Sequence, residues 1–187
     1  MAVRRFLLVS LSINTILEGV TIRQRRKRLE EVAKSNGLSD AYAAALTRLK
    51  ARGGYESALG LKVLMWVVYS ERPLLAEELC DALGVETRSV DLDSENVPTL
   101  RTVLLPCLGL VTVEPSSSTV RLVHSTLHEY LPSDPTLFHS PHSTIAEVCL
   151  TYLNFRNVWD LVPTFDYSAP PTMPLLEYAS CYWESTL

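Results

Sequence analysis

Apolar positions along this chain fall into blocks, and the spacing within each block predicts an element. Residues 3–17 read as a first helix. A second helix starts at Thr21, because Thr21 and Gln24 stand at the spacing at which each side chain binds the other residue's backbone N–H. Its apolar residues are Ile22, Leu29 and Val32, and Ser35-Asn36-Gly37 ends it, glycine being suited to a left-handed cap. A third helix follows Ser39 or Asp40, with Tyr42, Ala45, Leu46 and Leu49 on one face. Arg52-Gly53-Gly54 interrupts the pattern and marks a boundary.

Residues 56–70 are apolar nearly all round, with only Lys62 charged inside the run, which suits a central buried helix. Glu71-Arg72-Pro73 stops it, since the residue before proline avoids helical geometry. Leu75, Leu79 and Leu83 recur every four residues and predict a helix over 75–83, closed by Gly84. A polar, acidic connection over 85–97 carries Glu86, Asp91, Asp93 and Glu95. A further helix is expected over 98–107, with Pro98 in its first turn and Pro106 ending or kinking it. Gly109 turns the chain into a hairpin over 110–124, in which Val111 and Val113 alternate with Thr112 and Glu114, and Val120 and Leu122 flank Arg121. A short helix over 125–131 follows.

After Pro132-Ser133-Asp134-Pro135, Thr144 and Glu147 repeat the capping-box spacing. Ile145, Val148, Cys149, Tyr152 and Leu153 then keep helical spacing. Val158-Trp159 belongs to another short helix, residues 163–174 are a loop with four prolines, and LLEYASCYW (175–183) starts a last amphipathic helix. That helix is expected to lack a partner surface within this chain, which suggests a fragment of a longer protein.

The fold class is therefore mostly α with a small β-hairpin. The order helix, helix, helix, hairpin is the winged-helix form of the helix-turn-helix class. It predicts a winged-helix module over 55–133 between helical segments at 1–54 and 134–187.

Charge refines this picture. Residues 1–54 carry eleven Lys/Arg against four Asp/Glu, a balance of +7, while residues 55–187 carry six against seventeen, a balance of −11. Segments of opposite sign attract each other or face oppositely charged partners. The densest positive run is Arg23, Arg25, Arg26, Lys27 and Arg28, a candidate basic surface on one helix. The chain is 47% hydrophobic, enough for a core. Met1–Ile16 imitates a signal peptide, with Arg4 and Arg5 before an apolar run, but the run is short and lacks a small-x-small cleavage site. No run reaches the roughly 18 apolar residues of a membrane span. Cys80, Cys107, Cys149 and Cys181 are widely spaced with no Cys-x-x-Cys pair, as reduced and mostly buried thiols of a cytoplasmic protein would be.

Little points to a reaction. There is no G-x-x-x-x-G-K-[ST] loop to cradle phosphates, no G-x-G-x-x-G and no G-x-S-x-G. His124 and His128 have a metal-compatible helical spacing, with His139 and His142 downstream, but a zinc site needs three or four convergent ligands and no register supplies them. Ser125 and Ser143 neighbour histidines, yet a catalytic triad is set by geometry and not by adjacency. We expect no catalytic residue, no cofactor and no metal. A DNA reader needs several Lys/Arg at the phosphates. The third helix of the module offers only Arg101 and follows an acidic connection, which argues against nucleic acid.

The chain resembles the region that follows the ATPase core in fungal NACHT-type, NLR-like signalling proteins of the STAND class, a region that often precedes ankyrin repeats. The motifs that carry the resemblance are GLSDAYAAALTRLK (37–50), LMWVVYSERPLLAEELCDALGVE (64–86), TVRLVHSTLHEYL (119–131), HSTIAEVCLTYL (142–153) and PLLEYASCYW (174–183). Residues 61–131 within it resemble the GPI inositol-deacylase winged helix domain. The resemblance implies a non-catalytic regulatory module that packs on a nucleotide-binding core and relays its state to repeats. Core and repeats are both absent from this sequence, and so is the lipase serine motif, so no deacylase activity follows. In some relatives a winged-helix histidine touches the nucleotide phosphate; no residue here is assigned that role. The expected partners are proteins or missing parts of a larger chain, with self-association of the isolated chain. The competing reading is a winged-helix nucleic-acid binder that uses the basic run and Arg121.

Overall fold

A computed structural model describes residues 13, 16, 20–34, 37–160 and 173–184, with the backbone alone over 31–34. Most of the helix expected over 3–17, the side chain of Val32 and most of the loop at 163–174 lie outside the described residues.

Helix α1 spans Ile22–Lys34. Its start is the expected reciprocal cap: Gln24 N–H donates to Thr21 Oγ1 at 3.2 Å, and Thr21 N–H donates to Gln24 Oε1 at 3.2 Å. Ile22 and Leu29 are not core residues, being 79% and 53% exposed. Two such side chains offer only about 1.5–3 kcal/mol each on burial, too little to hold down a helix crowded with cations. Helix α2 (Leu38–Arg52) buries the four residues its pattern named, Tyr42, Ala45, Leu46 and Leu49. Gly53 and Gly54, at φ 65° and 55°, supply the left-handed turn into α3 (Gly54–Tyr69), which a residue with a Cβ would take at a steric cost.

Helix α3 is the centre of the molecule, with Val63, Leu64 and Trp66 at 1% exposure or less. It packs against α2 and the elements introduced below. Gly60 permits a close approach: a Cβ there would lie 3.1 Å from both Leu49 Cδ1 and Pro106 Cβ.

After α3 the chain departs from its leucine spacing. Leu75 is not helical. It forms a bridge with Thr119, while Val120 N–H donates to Leu74 O at 2.8 Å and Ala76 N–H donates to Ser118 O at 2.9 Å. Pro73 favours an extended entry, and the backbone groups of residues 74–76 pair with the hairpin instead of a helical turn. Helix α4 therefore begins one residue later, at Ala76–Gly84. Its inward face is Ala76, Leu79, Cys80 and Ala82, whereas Leu75 is 41% exposed and Leu83 half-buried.

Helix α5 is shorter than expected, Leu100–Leu104, and tightens into a 3₁₀ turn at Leu105–Cys107. Pro106 lacks the N–H a continued helix needs. Thr99 caps α5 by accepting from Thr102 N–H at 3.3 Å, so Pro98 lies before the cap and not in the first turn. Leu108 and Gly109, at φ 53° and 81°, lead into the hairpin. Strands β1 (Val111–Val113) and β2 (Val120–Leu122) are antiparallel, with Val111 opposite Leu122 and Val113 opposite Val120. Val111 and Val120 point into the core.

Helix α6 (Ser125–Tyr130) and a 3₁₀ turn at Leu131–Ser133 follow. Helix α7 (Pro141–Leu153) starts three residues ahead of the Thr144 cap that its spacing suggested. Ser140 is the N-cap, and Thr144 turns its hydroxyl back onto Ser140 O at 3.1 Å. Ile145, Cys149 and Tyr152 are fully buried, as their spacing required. Helix α8 spans Arg156–Trp159 and α9 spans Leu176–Tyr182. The expectation that α9 lacks a partner surface is corrected. It packs on α7, Leu175, Tyr178 and Ala179 are fully buried, and the Tyr178 ring meets Trp66 edge-on at 6.2 Å between centroids. A single hydrophobic cluster runs from Tyr42 to Ala179. Among the described residues no helix is long and apolar enough to cross a membrane.

Candidate functional site

The segment from α3 to β2 can be judged by what each surface offers. The helix that would enter a DNA groove is α5. Its outward side chains are Arg101 and Thr102, and the turn after it exposes Leu105 at 63%. Five helical residues with one cation give little grip on a phosphate backbone.

The strongest polar interactions hold the elements to one another. Arg72 makes a two-pronged contact with Glu78: Nη2 to Oε1 at 2.7 Å and Nη1 to Oε2 at 2.8 Å. Glu78 Oε2 also accepts from Leu75 N–H at 2.7 Å, capping α4. The Glu78 side chain is only 2% exposed. The Arg72 guanidinium lies over the rings of Tyr178 (5.2 Å) and Tyr182 (5.8 Å), so one residue joins the entry to α4 with α9. Its hydrogen bonds to Glu78 hold its pKa above the ordinary arginine range. A second tie crosses the core. Tyr152 of α7 donates its hydroxyl to Asp81 of α4 at 2.9 Å. Burial raises the pKa of both groups. Tyr178 OH accepts from Glu71 N–H at 3.2 Å, and burial pushes its pKa up as well.

One groove, with a volume of about 500 Å3, opens between the end of α3, β2 and α6. Arg72, Arg121, His124 and His128 line it. The two histidines do not share a helical face: His124 is the extended N-cap of α6, and its Nδ1 accepts from Thr126 N–H at 3.2 Å. Thr126 Oγ1 also contacts Tyr42 OH at 3.0 Å, tying α6 to α2. His142 stacks edge-on against Tyr69 at 5.2 Å. Among the described residues no three His, Cys, Asp or Glu side chains converge as metal ligands would. Cys80, Cys107 and Cys149 are buried, and burial pushes their thiols up to about 11, 12 and 12, away from the thiolate a nucleophile needs.

The candidate basic surface does form one element. Arg23, Arg25, Arg26 and Lys27 are exposed on α1, and Arg28 is half-buried. Arg121, the other cation of the nucleic-acid reading, stands on β2 beside Thr119 and not on α1. Periodicity missed the Arg72–Glu78 pair, although Glu78 in the first turn behind Pro73 was a visible capping signal. The Asp81–Tyr152 contact joins residues 71 apart and had no local signal.

A buried helix, an isolated β-bridge from Leu75 to the wing, two further helices and the two-stranded wing define the winged-helix class. Within that class the chain belongs to the family described as GPI inositol-deacylase, winged helix domain, whose family model matches residues 48–147. No curated protein and no solved structure matches the chain.

Proposed function

We propose that this chain is a non-catalytic regulatory and protein-interaction module of a NACHT-type nucleotide-switched signalling protein, working in the cytoplasm. The observation that carries this reading is where the polar interactions go. The Arg72–Glu78 and Asp81–Tyr152 contacts bind one element to the next, and α5 has a single cation for a groove. Such a body suits rigid transmission between neighbours better than turnover or sequence reading. Family membership and the motif resemblance outside the matched residues support the same context. The test is a pair of titrations on the purified chain. Calorimetry with ATP and magnesium should show no micromolar binding, and a mobility shift with duplex DNA should show no salt-sensitive complex. Tight ATP binding, or turnover above a buffer blank, would overturn the proposal.

The exposed cations of α1 favour a second reading, nucleic-acid binding. It requires a DNA complex that weakens steeply with salt and is lost in an Arg23→Glu, Arg26→Glu variant.

A further inference from the structure

The wing turns from β1 to β2 through Pro115-Ser116-Ser117-Ser118, all four exposed. Backbone bonds close this tip: Ser118 N–H donates to Glu114 O at 2.8 Å, and Glu114 N–H donates to Thr119 O at 2.8 Å. An exposed loop tip of small polar residues opens locally at little cost, so its hydroxyls are open to another enzyme.

The three hydroxyls differ in what they meet. Ser116 Oγ donates to Glu114 Oε1 at 3.4 Å, so a phosphoryl group there would face a carboxylate. Ser118 serves the turn through its backbone, with φ 55° and its carbonyl accepting from Ala76 N–H at 2.9 Å. Ser117 leads to a cation. Its Oγ lies 2.7 Å from Thr119 Oγ1, and Arg121 Nε donates to that same Thr119 oxygen at 3.2 Å. Arg121 is exposed, and among the described residues no carboxylate pairs with it. Ser117 Oγ and Arg121 Nε are therefore separated by little more than the span of a phosphoryl group and one hydrogen bond. Glu114 stands three residues before Ser117, an acidic lead of the kind that acidophilic serine kinases read.

We propose that Ser117 is a phosphorylation site whose phosphate pairs with Arg121 across the wing. Ser117 Oγ attacks the γ-phosphorus of a nucleoside triphosphate. The new Oγ–P bond forms as the bond to the β-bridging oxygen breaks, the diphosphate leaves, and the hydroxyl proton passes to a carboxylate base of the kinase. The product carries a charge of about −1.5 to −2 at neutral pH and three strong acceptor oxygens. A guanidinium takes such a group with two N–H donors at once, which fastens the turn to β2. Arg121 also lines the groove it shares with His124 and His128, so the pairing withdraws one cation from that groove. Neither the site nor the pairing depends on a nucleotide-switched context.

The test starts with the full chain, magnesium ATP and an acidophilic serine kinase of the casein kinase class. Fragmentation mass spectrometry should place one phosphate on Ser117. Ser117→Ala should lose it, while Ser116→Ala and Ser118→Gly, which suits the positive φ, should keep it. Amide hydrogen exchange of Ser118 and Val120 should slow by about threefold on phosphorylation, as a surface ion pair would give. The slowing should vanish in Arg121→Gln. A chain with phosphoserine installed at position 117 during synthesis should show the same slowing without any kinase. No phosphate on Ser117, phosphate on Ser116 or Ser118 in its place, unchanged exchange, or slowing that survives Arg121→Gln overturns the proposal.

Discussion

Replacing Arg72 by Met should strongly destabilise the folded chain. Glu78 is 2% exposed and takes two N–H bonds from Arg72 and one from Leu75. Without Arg72 it keeps one backbone donor and no cation. Removing one partner of a buried ion pair costs about 3–5 kcal/mol. Arg72 is 27% exposed, which screens the attraction and moves the expected loss towards about 3. The lost ring contacts with Tyr178 and Tyr182 add about 0.5–1 kcal/mol each. A double-mutant cycle isolates the pair: Arg72→Met, Glu78→Gln and both together, each unfolded in urea. In the double variant no buried charge is stranded, so it should be more stable than the summed single losses predict, by about 2 kcal/mol. A coupling below about 0.5 kcal/mol would refute the claim that this ion pair holds the entry of α4 to its first turn.

Three further outcomes follow from the core. Leu79→Asp should abolish cooperative folding, because a carboxylate without a partner at a fully buried position costs several kcal/mol of a total of about 5–15; a wild-type melting midpoint would contradict the packing of α4. Asp81 has a raised pKa in the folded chain, so its contribution to stability is complete below the ordinary value near 3.9 and is lost as pH rises through the folded value. Asp81→Asn should therefore gain on wild type as pH rises above about 4, then level off; thermal melts at stepped pH check this, and a pH-independent difference counts against it. Iodoacetamide should label Cys181, which is exposed, in the native chain and reach Cys80, Cys107 and Cys149 only on unfolding; rapid native labelling of all four, read by mass spectrometry, would show that the core opens.

What the sequence made legible was local. The Tyr42-Ala45-Leu46-Leu49 face, the Thr21–Gln24 cap and the alternation in the wing each depend on residues within a few positions, and each stands in the structure. Leu75 failed because its fate depends on residue 119, forty-four positions away, where the hairpin edge competes for its backbone. Thr144 failed because Pro141 and Ser140 start the helix ahead of it. The sequence shows no partner for helix α9 because Trp66, the surface that receives Tyr178, lies in a helix more than a hundred residues earlier. The basic run was visible as a run, but the exposure of Ile22 and Leu29 beside it was not. Periodicity marks an apolar face without saying whether anything covers it.

The central claim, that this winged helix serves within a nucleotide-switched signalling protein, is tested most directly by sequencing full-length transcripts from the locus. The account predicts a reading frame continuous with Met1 that encodes a G-x-x-x-x-G-K-[ST] phosphate loop upstream. Messages that place an in-frame stop directly before Met1, with no phosphate loop in any joined exon, would contradict it.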